Sequence, residues 1–180
     1  MNQICFDNDR ADIMRIFMAE AKKHAGLSNG SNPIFSEAIG LVEASVAVEA
    51  LSNEVAIAER INNGRGLRIN DGDKRSAFCS RYQTLYVTNI KVFQTHVQAL
   101  KKELNRDSLH SMDMSRLRPH LEIADETNLR EVIEVAYRVR SNLVHGSKSL
   151  SSDRNRVLIG NSFKFLYLLM EVILDVENIL

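Results

Sequence analysis

The stretch "ETNLREVIEVAYRVRSNLVH", residues 126–145, decides the fold. Its apolar residues Leu129, Val132, Ile133, Ala136, Val139 and Leu143 recur every three or four positions, the spacing that lines one face of an α-helix. Charged side chains occupy most of the positions between them. Asp125 or Thr127 stands where an N-cap belongs, and Gly146 follows where a helix end favours glycine. The pattern predicts a helix closing at Gly146.

The same period extends outward from this stretch. On its N-terminal side, "SAFCSRYQTLYVTNIKVFQTHVQALKKEL" (76–104) reads as one long helix with Phe78, Tyr82, Leu85, Val92, Phe93 and Leu100 towards the core. A polar, partly basic connector, "NRDSLHSMDMSRLRPH", joins the two. Further back, Pro33 can open a helix at its first turn. The run "IFSEAIGLVEASVAVEALSNEVAIAERI" carries apolar Phe35, Ile39, Val42, Val46, Leu51, Val55 and Ala58, with small residues such as Gly40 and Ala44 suited to close helix approach. "DRADIMRIFMAEAKKHAG" is a first helix with Ile13, Ile16, Phe17 and Met18 grouped and Gly26 as its stop.

Between the second and third helices, "NNGRGLRINDGDKR" is a Gly/Asn/Asp loop. Its Gly64–Gly66 pair lacks the strand-then-helix setting of a phosphate-binding loop, and "NDGD" lacks the ligand spacing of a calcium loop. After residue 146 a short polar loop, "SKSLSSDRNR", precedes a helix running to Leu180. Its apolar stretch "VLIGNSFKFLYLLMEVIL" is interrupted by Lys164 and Glu171, so it reads as a buried helix and not a membrane span.

Composition agrees. The chain has 180 residues, 44% hydrophobic and 26% charged, with only two prolines and eight glycines, which favours long helices over a turn-rich β fold. The expectation is an all-α, single-domain helical bundle of about five helices spanning residues 1–180. Cys5 and Cys79 form no disulfide framework or zinc cluster and fit a reducing compartment. The N-terminus "MNQICFDNDRAD" has no apolar signal region, so a cytoplasmic protein without a membrane is expected.

A formal net charge of zero supplies no global cationic field, so any nucleic-acid binding must rest on a local patch. From Tyr137 to Lys164 there is such a concentration: Arg138, Arg140, Lys148, Arg154, Arg156 and Lys164 stand against one acid, Asp153. Phosphate contacts require this kind of charge; the same cations would also complement a helix C-terminus. The five histidines (His24, His96, His110, His120 and His145) show no HxxxH or HExxH spacing, so neither a metal nor a cofactor is implied. Glu43 and Glu49 lie on a mostly apolar helix, without a partner visible in sequence.

Within the basic segment, Arg140 and His145 are five residues apart. On a regular helix this sets them about 140° apart around the axis. A distorted last turn before Gly146, or a symmetric dimer, would bring an Arg and a His to one cleft. Together they are a minimal set for cleaving RNA without a metal. Histidine moves protons near neutral pH, arginine holds and stabilises the phosphate, and the RNA supplies its own 2′-hydroxyl nucleophile.

"RSNLVHG", followed by a polar loop and a long apolar terminal helix, resembles the Arg-x4–6-His signature of the HEPN superfamily (higher eukaryotes and prokaryotes nucleotide-binding), whose members carry strings like R-N-x-L-x-H-G. The match covers Arg140, Asn142, Leu143, His145 and Gly146, with Lys148 in the basic tail. The resemblance implies a compact helical bundle, frequently dimeric, and in active members a metal-independent endoribonuclease with its site at a dimer cleft. It also implies a toxin–antitoxin, phage-defence or stress-response setting, with an antitoxin or nucleotidyltransferase as partner. Arg140 and His145 would then be catalytic, Ser141 and Asn142 would orient them, and Lys148, Arg154, Arg156 and Arg138 would contact RNA. The residue after the motif arginine, often Asn, Asp or His in nuclease members, is Ser141 here. A non-catalytic HEPN-like module binding RNA, a nucleotide or a protein therefore stands as the alternative.

Overall fold

The computed structural model describes residues 8–27, 33–62, 69–105, 121–145 and 153–178. All regular structure among them is helical: α1 (Asn8–Leu27), α2 (Pro33–Asn62), α3 (Asp71–Thr88), α4 (Ile90–Asn105), α5 (Leu129–Val144) and α6 (Asp153–Val176). The all-α bundle expected from the sequence is present, with six helices among the described residues in place of about five.

The additional helix arises because residues 71–105 form two helices and not one. Thr88 Oγ1 donates to the Thr84 carbonyl and Asn89 Nδ2 donates to the Leu85 carbonyl, so side chains compete with the backbone ladder there. The helix is interrupted at Asn89, and α3 packs against α2 and α5 while α4 packs against α6. The interruption is flanked by rings: Tyr86 stacks on Phe93 with centroids 5.3 Å apart, and both meet Phe165 of α6 edge-on.

The "NDGD" run opens α3 instead of forming a loop to residue 75. Asn70 is its N-cap, accepting from the Asp73 amide at 2.8 Å, and Asp71 and Asp73 sit in the first turn, where carboxylates favour the helix dipole. At α5 the N-cap is Asn128, and not Asp125 or Thr127; its side chain accepts from the Arg130 amide. Asp125 instead accepts from the amide and hydroxyl of Thr127, hydrogen bonds that hold its carboxyl below the usual range. Gln83 of α3 clamps the same turn, donating to the Thr127 carbonyl at 2.6 Å and accepting from the Leu129 amide at 3.1 Å. That clamp fixes where α5 starts.

Buried apolar side chains from all six helices form one hydrophobic cluster, and α6 packs against each of the other five helices. By length and composition α6 could cross a membrane, yet 61% of its most apolar window is buried inside the bundle. This agrees with its reading as a buried helix. On α2 the core face differs from the expected stripe. Ala38, Leu41, Ala44, Ala47, Val48, Leu51 and Val55 are buried, whereas Phe35 is exposed and Ile39, Val42 and Val46 are only partly covered. Small residues let α6 come close: a Cβ on Gly40 would lie 2.6 Å from the Phe163 ring. On α1 the core is likewise Ala11, Met14, Met18 and Ala21, while Ile13 and Ile16 face outward.

Candidate functional site

The C-terminal half of α5 meets α2 and α3 in a cleft of about 460 Å³. The buried face of α5 sets which side chains reach it. Val135, Ala136 and Val139 go into the core, which leaves Tyr137, Arg138, Arg140 and Ser141 to line the opening. The opposite walls carry Glu49 and Ser52 from α2 and Asp71, Lys74 and Arg75 from α3, with Glu134 one turn back on α5.

Four cations and three acids share this space, and most are matched. Arg75 Nε donates to Glu134 at 3.1 Å, and Lys74 pairs with Asp71 at 3.2 Å. Arg140 Nη1 lies 3.8 Å from Glu49, a looser pair in which the Glu49 side chain is 46% exposed. Arg138 makes no ion pair among the described residues. The Ser52 hydroxyl donates to the Val48 carbonyl of its own helix.

Two polar atoms in this wall are out of solvent and have no hydrogen-bond partner among the described residues: the Tyr137 hydroxyl and Arg140 Nε. Burial, reinforced by the Glu49 carboxylate, pushes the Tyr137 phenol far above its ordinary range, so at neutral pH it is a hydrogen-bond donor. The Arg75 guanidinium lies over its ring at 5.8 Å from the centroid. Cys79, adjacent on α3, is buried and its thiol is pushed up to about 12 by desolvation, which makes it a poor nucleophile.

His145 is elsewhere. It is the exposed C-cap of α5, and its amide donates to the Ser141 carbonyl at 3.0 Å, an ordinary α-helical bond. The last turn is therefore not unwound, and His145 is not among the residues that line the cleft. Asn142 is fully buried and adds no surface to the cleft, while Ser141 does line it. Gly146 and Lys148 lie outside the described residues.

The basic segment does not form one surface. Arg154 reaches α4, donating to the Glu103 carbonyl at 3.3 Å, where a cation satisfies a helix C-terminus. Arg156 is exposed and near Asp153 on its own helix at 3.9 Å, and Lys164 pairs with Glu37 of α2 at 3.3 Å. Cations consecutive in sequence face different neighbours because α5 and α6 are separate helices with their own rotations. Among the described residues of this group, Arg138 and Arg140 alone line the cleft.

Glu49, Tyr137, Lys74 and Arg75 were not among the expected site residues. Glu49 carried one sequence signal, an acid on an otherwise apolar helix, and its partner is Arg140. Glu43 shows the same signal and faces His24 of α1 at 3.6 Å. His96 shares a 2.9 Å hydrogen bond with Asn161, and His110 and His120 lie outside the described residues. Among the described residues no group of three or more His, Cys, Asp or Glu side chains is assembled to hold a metal ion. Comparison with family models, with curated proteins and with solved structures found no match.

Proposed function

We propose that this chain is a metal-independent endoribonuclease of the HEPN type, acting in the cytoplasm as a homodimer. One observation carries the reading: α5 presents Arg140 to a cation-lined cleft and leaves His145 exposed at its end, so both motif side chains are available to a substrate. Arg140 would bind the scissile phosphate and stabilise charge on its oxygens, and His145 would move the protons. The 2′-oxygen of the RNA attacks the adjacent phosphorus and displaces the 5′-oxygen. One proton leaves the 2′-hydroxyl, and one is delivered to the departing 5′-oxygen. Because His145 is exposed at the end of α5 and does not line the cleft, it would come to Arg140 from a second copy, across a two-fold contact that repeats the arrangement twice. An antitoxin or a nucleotidyltransferase would be the partner restraining such an activity.

The test is cleavage of single-stranded RNA in EDTA. Arg140→Ala and His145→Ala should each lose at least about a hundredfold in rate. Mixing the two inactive variants should restore part of it, since one of the two shared sites in a mixed dimer keeps both residues. No cleavage by the folded wild type, or variants as active as wild type, would overturn the proposal.

The regularity of α5 favours a second reading, a non-catalytic HEPN-like module that binds RNA, a nucleotide or a protein. On that reading RNA binding weakens steeply with salt, as counterion release requires, and no cleavage accompanies it.

A further inference from the structure

We propose that the cleft contains a seat for a single phosphate group, formed by the Tyr137 hydroxyl, Arg140 and Arg138, and that Glu49 is an internal anion competing for it. The inference deepens the proposed function and rests on it in one respect, that this seat takes the scissile phosphate of RNA.

The donors come first. A hydroxyl or guanidinium N–H removed from water without a partner costs about 1–3 kcal/mol, so native structures leave few of them. Two occur here within four residues of one helix, Tyr137 Oη and Arg140 Nε; both side chains line one opening, and both atoms lie just beneath its surface. Arg138 lines the same opening without an ion pair among the described residues. The remaining cations are engaged: Arg75 and Lys74 have acids at 3.1 and 3.2 Å. The uncommitted donors are thus concentrated on α5. A tetrahedral oxyanion accepts from three directions and fits such a set better than a planar carboxylate with two oxygens.

Glu49 is the anion that pairs with Arg140 and whose charge acts on Tyr137. Its carboxylate lies 3.8 Å from Arg140 Nη1, beyond the 2.7–2.9 Å of a charge-assisted hydrogen bond, and the side chain is nearly half exposed. One loose ion pair holds it, and solvent is open to it. A phosphate entering beside Arg140 would face this carboxylate, and like charges side by side are unfavourable. Glu49 must therefore turn out to solvent when phosphate binds, and its charge sets a threshold that weak anions do not pass.

Titration calorimetry with inorganic phosphate at pH 8 tests this on the full chain. Glu49→Gln, nearly the same shape without the charge, should bind phosphate about tenfold more tightly than wild type. Tyr137→Phe and Arg138→Ala, each placed in the Glu49→Gln background, should remove most of that gain while the melting temperatures stay close. Equal or weaker binding by Glu49→Gln, or no loss on Tyr137→Phe, overturns the seat. RNA cleavage in EDTA separates the two proposals. If cleavage depends on Arg140 and His145 while phosphate affinity ignores Glu49, only the seat fails. If Glu49→Gln tightens phosphate binding and no RNA is cut, only the nuclease reading fails.

Discussion

Two arginine–glutamate–tyrosine clusters sit in this bundle, built from the same three residue types and completed to different degrees. In the first, Glu177 beyond the end of α6 accepts through one oxygen from Arg81 Nε at 3.1 Å, Arg81 Nη2 at 2.8 Å and the Tyr82 hydroxyl at 2.9 Å. Its side chain is 4% exposed. In the second, Glu49 stands 3.8 Å from Arg140, is 46% exposed, and the Tyr137 hydroxyl has no partner among the described residues. Each tyrosine even lies under an arginine, Arg81 over Tyr82 and Arg75 over Tyr137. The closed cluster directs its donors inward and ties α3 to the end of α6. The open one keeps donors in reserve on the wall of a cleft, which is what a binding site requires and a structural clamp does not.

The comparison is most exposed to failure at its two carboxylates. Glu177→Ala leaves Arg81 and Tyr82 facing a buried gap and should cost about 3 kcal/mol in urea unfolding, as removal of one partner from a buried pair does. Glu49→Ala, at a half-exposed pair, should stay within about 1 kcal/mol of wild type. Equal losses at both positions would show that the clusters do the same job.

The tyrosines sharpen the contrast with a smaller effect. Tyr82→Phe deletes a hydrogen bond to a charged acceptor and should cost about 1.5–3 kcal/mol. Tyr137→Phe deletes a hydroxyl that has no partner among the described residues and should be neutral or slightly stabilising in the same assay, with its effect confined to phosphate binding.

Smallest of all is the third glutamate, Glu43, an intermediate case whose side chain is 19% exposed and lies 3.6 Å from His24. Burial raises its carboxyl above the ordinary value of 4.5, an effect larger than the opposing attraction of His24. The folded state thus holds this proton more tightly than the unfolded chain does. Its contribution to stability is full below pH 4.5 and is lost as pH rises through the folded value. Glu43→Gln should therefore raise the melting temperature by a degree or so at pH 7, roughly what a few tenths of a kcal/mol give in a chain of this size, and leave it unchanged at pH 4. A uniform shift at both values would remove burial of this carboxylate as the cause.

Legibility in the sequence followed amphipathic contrast. On α5 every expected core position is buried or partly buried, because charged residues separate the apolar ones and leave one phase for the helix to adopt. On α2, which is apolar or small nearly all round, several rotations satisfy the pattern, and the large residues Phe35 and Val46 misled. The helix instead turned its alanines inward, because α6 packs against α2 and Phe163 needs the space over Gly40. The interruption at Asn89 was equally hidden: Thr88 and Asn89 look like ordinary polar positions until the rings of Tyr86, Phe93 and Phe165 require it. For the site, Arg140, Arg138 and Ser141, which line the cleft, were named from the sequence. Glu49, Lys74, Arg75 and Tyr137 were not, since nothing along the chain says which helices become neighbours.

By itself the sequence determined that this protein is a helical bundle, that α5 turns Leu129, Val132, Ile133, Ala136 and Val139 inward, and that a cation-rich segment with an Arg-x4-His pair follows from that helix. Those properties are local, set by period, capping and composition within a few turns. Only the tertiary structure decided that Arg140 meets Glu49, that Arg154 leaves the basic segment to serve α4, and that His145 stays at an exposed cap away from the cleft. Such pairings depend on the relative rotation of helices dozens of residues apart. The combined burial of many apolar side chains fixes that rotation, and no single stretch of the chain encodes it.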